Sequence, residues 1–494
     1  MLNNTLGILV TILLLFSACK DEEPPISSTK ELLNFSILKS DNQGKVANDV
    51  EASIQGSVIT LPLDKYDDLK SLIAVFEYNG KSITINGVEQ ESGVTSNDYS
   101  QPLVFTVEAE DGSKQQYTVK AEFLLSAIPE LTITTTDPSI AEIPSKDYYL
   151  EGTLAVNGRG GYEDYTGKTE VKGRGNSTWG YPKKPYRLKL NKKAEICGLG
   201  KAKNYVLLAN HLDPTLMLNS VAFKIGRLLE LPFTNHAIPV DVVLNGIYKG
   251  SYLLTEQIEV KENRVDLDEN NSVMWELDSY WDDEPKFKST AFNLPVMVKD
   301  PDLTTEQFEY WKKDFNAFTT QFAKEPLEGN SYVDMIDIES VAKFLITFNL
   351  VHNMEINHPK SVFLHKEGNG KYVMGPIWDF DWAYDYEGTS NHFGRYNTPL
   401  FSSSMNGVGT AFFQRFLQDS RVKAIYKRTW QDFKNNKLDA LLQYVDDYAV
   451  MLKPSVERNS ELWENTRSFD TKVKELKTWL RNRADYIDSE VSKL

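Results

Sequence analysis

The chain has 494 residues, 41% of them hydrophobic and 12% aromatic, and a formal net charge of −16. That length exceeds what one hydrophobic core supports and that composition excludes a disordered chain, so two or three folded domains are expected. The acidic balance excludes a nucleic-acid surface, which needs basic stripes to displace counterions from phosphates, while leaving room for a local basic cluster that seats a small phosphate compound.

The first residues, "MLNNTLGILVTILLLFSAC", carry an apolar run from Leu6 to Phe16 that is too short to span a bilayer. It reads as a signal-peptide core over residues 1–19. Ser17 and Ala18 stand directly before Cys19, which resembles the site at which bacterial lipoproteins are cleaved and acylated on cysteine. The n-region lacks Lys and Arg and Phe16 replaces the usual Leu, so an ordinary cleaved signal or a short anchor is the alternative. The following "KDEE" resembles the sorting signal of some Gram-negative lipoproteins, which implies an extracytoplasmic, lipid-anchored address at the outer membrane or cell surface. Residues 20–32 then form a polar, proline-containing tether. Once Cys19 is lipidated, Cys197 is the sole remaining cysteine and no intrachain disulfide can form.

Residues 33–124 offer short alternating segments such as "SVITLPL", "SITINGV" and "LVFTVEAEDGSKQQYTVKAEF", split by turns at Asn79-Gly80 and Asp111-Gly112. They predict a small β-sandwich of immunoglobulin-like size. A proline-marked joint leads into a larger domain, residues 131–494. Its first half is β-rich, with a hairpin predicted at Asn245-Gly246 and one helix in "DPTLMLNSVAFKIGRLLEL", where Asp213 caps and Pro214 enters the first turn. Its second half is mainly helical: rings recur at Phe308, Trp311, Phe315, Phe318 and Phe322, and Val473, Leu476, Leu480, Ile487 and Val491 form a closing stripe.

Two stretches carry chemistry. In "VKGRGNSTWGYPKKPYRLKL", Gly173 and Gly175 permit tight turns, Asn176 and Ser177 supply short polar groups, and Arg174, Lys183, Lys184, Arg187 and Lys189 create a positive field suited to phosphates. No Gly-Lys-Ser/Thr follows, so it is not a P-loop, and a solvated basic hairpin is the plainer reading. In "GPIWDFDWAYD", Asp379 and Asp381 alternate with Trp378, Phe380 and Trp382. On a strand they would share one face opposite the rings, a pair suited to Mg²⁺. Glu256 and Asp213 are readable as surface and capping residues. His352 and His358 are too irregularly placed for zinc.

Together "KGRGNSTWGYPKKPYRLKL", "NYVLLANHLDPTLMLNS", "VVLNGIYKGSYLLTEQI", "HPKSVFLHK" and "GPIWDFDWAY" closely resemble the spore coat protein H (CotH) kinase family, from about Leu131 to Leu494. That resemblance implies an α+β, atypical protein-kinase-like two-lobe domain behind the β-sandwich. It implies transfer of the γ-phosphoryl of ATP to a protein hydroxyl, serine in this family, with Mg²⁺ or Mn²⁺. Carried over residue by residue, Arg174, Asn176 and Ser177 belong to the nucleotide-facing loop and Lys184 or Lys189 contacts phosphate. Glu256 orients that lysine, and Asp379 binds metal with help from Asp381. Where family members show Asp and then Asn, this chain has Glu355 and Ser361 in "EINHPKS". Glu355 can accept the acceptor hydroxyl proton, but a misplacement of about 1 Å can cost roughly 100-fold, so a pseudokinase is the alternative. Two rivals stand beside the kinase reading: a non-catalytic surface protein that binds a protein or glycan partner, and a carbohydrate hydrolase whose paired carboxylates sit about 7 Å apart along a strand.

Overall fold

The structure, a computed structural model, describes residues 26–43, 45–46, 49–63, 69–123, 128–386, 391–401 and 407–494. The expected signal peptide, Cys19 and the start of the tether lie outside the described residues. Among those residues no helix is long and apolar enough to cross a membrane. The chain divides into two compact units, 1–124 and 125–494.

In the first unit, alternation sets the architecture. Val58–Leu63 buries Ile59, Leu61 and Leu63, and Leu103–Glu108 buries Phe105 and Val107, so each strand gives one face to a common core. The result is a six-stranded sheet, a three-stranded sheet and a small two-stranded ribbon. Phe35, Phe76, Tyr99 and Phe105 meet edge-on or stacked between the sheets.

The second unit begins with a closed seven-stranded barrel. In chain order its strands are Glu130–Thr135, Leu150–Asn157, Tyr165–Gly173, Tyr186–Ile196, Leu199–Leu208, Ile238–Leu244 and Ile247–Glu256. The first pairs in parallel with Ile238–Leu244, which closes the ring and leaves no edge. Leu131, Leu154, Val171, Leu188, Leu207 and Val242 fill the interior. The predicted hairpin at Asn245-Gly246 is present, with both residues at positive φ, 49° and 81°.

One helix, Leu218–Leu228, interrupts the barrel strands, and after the barrel come a five-stranded sheet and the remaining helices. Thr304 and Gln307 form a capping box that starts the helix Thr305–Phe322, which buries Trp311, Phe315, Phe318 and Phe322. The helix Phe469–Val491 buries Val473, Leu476, Leu480, Ile487 and Val491 as its stripe requires. Two expectations need correction. The helix after Asp213 begins at Leu218, not Pro214, because Asp213 folds back on Thr215 and takes the Leu218 N–H at 2.8 Å. The segment bearing Asp379 and Asp381 is no strand: pairing ends at Met374, and Asp379 adopts a left-handed φ of 63°.

Candidate active site

A cleft of about 360 Å³ opens in the second unit between the barrel and the helical part. Its charges are segregated by origin. Lys146, Lys172, Arg174, Lys183 and Arg187 line it from the barrel, and Glu276, Asp278, Asp282, Glu355, Asp379 and Asp381 line it from the second half of the unit. Lys299 and Lys360 also come from that half, but each is held by an acid: Lys299 by Glu276 at 2.9 Å and Lys360 by Glu355 at 3.2 Å. The cleft therefore has a basic wall facing an acidic one.

The basic wall follows from strand register. Inward-pointing Val171, Leu188 and Leu190 fill the barrel, which turns Lys172, Arg187 and Lys189 outward. Lys172 stands opposite Arg187, and Lys189 stands opposite Glu170. The second pair neutralises itself in an ion pair of 2.9 Å, while the first is a like-charge pair facing the cleft. Burial, and then Arg187, push the Lys172 amine down. The Arg187 Nε is buried with no acceptor among the described residues.

Beyond Gly173 the chain turns sharply. A side chain at Gly173 would meet the Trp179 ring at 2.1 Å, and Gly175, at φ 87°, lies 2.0 Å from the Thr178 hydroxyl by the same construction. This turn carries Arg174 inward, its guanidinium 5.4 Å from the Trp378 ring. No ion pair or hydrogen bond reaches that guanidinium among the described residues. Burial pushes its acidity toward release of the proton, and Asp379 and Asp381 oppose that. Asn176 and Ser177 lie exposed on the cleft rim, with Lys146 donating to Asn176 at 3.2 Å.

Asparagines hold the acidic wall. Asn353 caps the turn of Glu355, accepting its N–H at 3.0 Å, and donates to the Asp379 carbonyl at 3.1 Å. One side chain thus fixes both candidate catalytic residues. Asn219, in the first turn of the helix Leu218–Leu228, accepts the Phe380 N–H at 2.9 Å and donates to Asp381 at 2.6 Å. The Asp379 carboxylate itself receives no hydrogen bond among the described residues. Burial pushes its pKa up, against the pull of Arg174 and Lys360. Asp381 is pushed up to about 7 by burial and by the neighbouring Asp379 and Asp213.

The structure thus brings Arg174, Asn176, Ser177, Glu355, Asp379 and Asp381 to one cleft and leaves three expected residues outside it. Lys189 points along another part of the barrel face because Glu170 is its cross-strand partner. Lys184 donates to the Trp179 carbonyl at 2.6 Å and supports the glycine turn. Glu256 is buried against His236, not a lysine, with His236 Nδ1 at 2.7 Å. The strand spacing behind the hydrolase reading also lapses, since the segment is not extended. Glu276 and Asp278 were missed, although "WELD" repeats the spacing of "WDFD", two acids two residues apart after a tryptophan with an apolar residue between them. Asp278 accepts the N–H groups of Tyr280 and Ser361, and burial pushes it up to about 6.

No group of three or more metal-ligating side chains is assembled among the described residues. Two carboxylates with the cation's remaining positions left to phosphate and water nevertheless suit Mg²⁺, which keeps much of its hydration. Asp379, half-buried and with no donor to its carboxylate among the described residues, is the acid best placed to take a cation.

The N-terminal stretch 37–121 matches the family described as SGBP, N-terminal. No curated protein matches the chain. A Bacteroides fragilis chain provisionally described as a secreted protein is 15% identical over 19% of this chain and 95% of its own, at a TM-score of 0.14. A Bacteroides thetaiotaomicron chain provisionally described as a glycoside hydrolase is 16% identical over 60% of this chain and 89% of its own, at a TM-score of 0.16. Neither superposition is close enough to bear on fold or chemistry. Residues 171–487, which carry every charged wall residue named above except Lys146, match the family described as CotH kinase protein, and the chain belongs to that family.

Proposed function

We propose that the protein is a secreted, lipid-anchored atypical kinase that transfers the γ-phosphoryl of ATP to a protein hydroxyl, serine by family precedent. The observation that carries this reading is the opposition of Arg174 and Asp379, which face one cleft from opposite walls, attract each other, and have no side-chain hydrogen bond or ion pair among the described residues. A nucleotide phosphate with its cation supplies the missing partner to each. A two-lobe, kinase-like division of labour fits this arrangement, with the barrel holding phosphates and the helical part holding cation and acceptor.

In this mechanism Lys172, Arg174 and Arg187 bind the phosphate oxygens and hold them in place. Asp379, with Asp381 anchored by Asn219, would hold Mg²⁺ or Mn²⁺, which when bound neutralises charge developing on the transferred group. Glu355 would accept the acceptor hydroxyl proton, its carboxylate positioned by Lys360 and its backbone by Asn353. Walls preset in this way stabilise transferred charge without reorganising.

The test is intact-mass spectrometry of residues 20–494 after incubation with ATP and Mg²⁺ or Mn²⁺, beside Asp379→Ala and Glu355→Gln. Mass gains of whole phosphates in the wild type alone are expected. Glu355→Gln should keep metal-dependent nucleotide binding while transfer falls about 100-fold or more. Full phosphotransfer by Asp379→Ala would overturn the assignment.

A second reading, a catalytically silent surface lipoprotein that binds a protein or glycan, draws on the match of residues 37–121 to SGBP and on the engagement of Glu355 by Lys360. It requires that nucleotide affinity be absent with either metal.

A further inference from the structure

The hairpin that ends at Glu256 builds something other than the expected lysine partner. His236 continues the pairing of Ile238 with Leu254, so it lies opposite Glu256 at the open end of the hairpin. Glu256 Oε2 accepts the His236 N–H at 2.8 Å and Oε1 meets His236 Nδ1 at 2.7 Å. Thr255 Oγ1 donates to the His236 carbonyl at 2.6 Å, and Asn235 Nδ2 donates to the Glu256 carbonyl at 2.8 Å. The Glu256 side chain is 10% exposed while that of His236 is 61% exposed. A carboxylate that takes Nδ1–H fixes the ring orientation and turns Nε2 outward.

That ring borders a separate cavity of about 110 Å³. Glu256 is its only acidic lining residue among the described residues, and both of its oxygens are already committed to His236. Arg264 lines the same cavity and is 7% exposed. Its terminal nitrogens donate to the carbonyls of Gly200, Asn263 and Asn204, while its Nε is shut off from solvent with no acceptor among the described residues. Asn263 and Gln257 add amide groups to the wall, and Gln257 also borders the main cleft. With the Glu256 carboxylate committed to His236, Arg264 is the cation at this wall, and the volume is too small for a nucleotide.

We infer that this cavity is a second binding site, for a small oxyanion, in which His236 as imidazolium, giving Nδ1–H to Glu256 and Nε2–H to the ligand, acts with the positive charge of Arg264 to hold a carboxylate or phosphate group. The site stands on its own geometry and does not depend on phosphoryl transfer in the main cleft. Glu256 serves it as a positioning residue.

The experiment uses chain labelled with ¹⁵N on its histidine side chains, titrated with inorganic phosphate at fixed ionic strength. The sequence has 6 His, and His236→Gln identifies the His236 signals. His211 lines the main cleft, so the same spectrum reports the two sites separately. A saturable His236 shift at millimolar phosphate is expected, and Asn263→Asp, an exposed change that places a negative charge at the rim, should weaken it about tenfold. A matching shift with acetate would mark a general carboxylate and phosphate site, and a response to phosphate alone would mark a phosphate site. An unmoved His236, a shift of His211 alone, or a His236 response untouched by Asn263→Asp would each overturn the proposal.

Discussion

Lys172 and Arg187 stand directly opposite each other across two antiparallel strands, both turned into the cleft. Like charges in that position repel, and the Tyr149 ring and Asp147 near Lys172 offset only part of this. The next outward-facing pair along the same strands, Glu170 with Lys189, shows that this surface also accommodates opposite charges. The repulsion at Lys172 and Arg187 is thus a local cost that a bound anion removes.

Replacing Arg187 should separate binding from stability. Arg187→Gln removes the repulsion and the buried, unpartnered Nε, so melting temperature should hold or rise, while ATP affinity falls about tenfold. Lys189→Ala makes the matched control: its ion pair is surface-exposed and worth roughly 0.2–1 kcal/mol, and nucleotide affinity should not change. Calorimetric titration with ATP and thermal melts of both variants check this. A loss of affinity in Lys189→Ala equal to that of Arg187→Gln would show that the wall has been misdrawn.

The glycine turn sets where Arg174 points. Gly175→Ala must hold φ at 87° and crowd the Thr178 hydroxyl, which should destabilise the fold by about 1–2 kcal/mol and weaken nucleotide binding as well. Gly180, where an added methyl meets open space, offers a neutral comparison. Urea unfolding of the two alanine variants measures the difference.

Lys183 gives stability a dependence on pH with a definite sign. It is 1% exposed, donates to the Ser251 carbonyl and to Asn459, and burial pushes its pKa down to about 7. Between about pH 7 and the ordinary lysine value the unfolded chain binds one more proton than the folded one, so stability rises with pH across that window. Below it both states are protonated and the contribution is flat. Denaturant titrations at pH 7 and 9 should show wild type gaining on Lys183→Met by at most about 1.4 kcal/mol per pH unit. A flat difference across that window would mean that Lys183 stays charged in the folded protein.

Much of this was legible in the chain itself. Alternation marked the barrel strands and the hairpin at Asn245-Gly246, helical spacing marked the ring-bearing helix from Thr305 and the closing stripe, and local composition marked Arg174, Asn176, Asp379 and Asp381. Those are signals of short range, set by the two periods of the backbone and by the conformational limits of glycine. Which lysine reaches the cleft was not such a signal. Lys172, Lys184, Arg187 and Lys189 look alike in sequence, and only the register of two strands turns Lys172 and Arg187 to the cleft and gives Lys189 to Glu170. Glu256 met a histidine because the pairing that begins at Ile238 and Leu254 runs on to its end. The chain determined its elements and its stock of charge. Tertiary structure decided which charges were left without partners, because partnership depends on contacts between residues far apart in sequence.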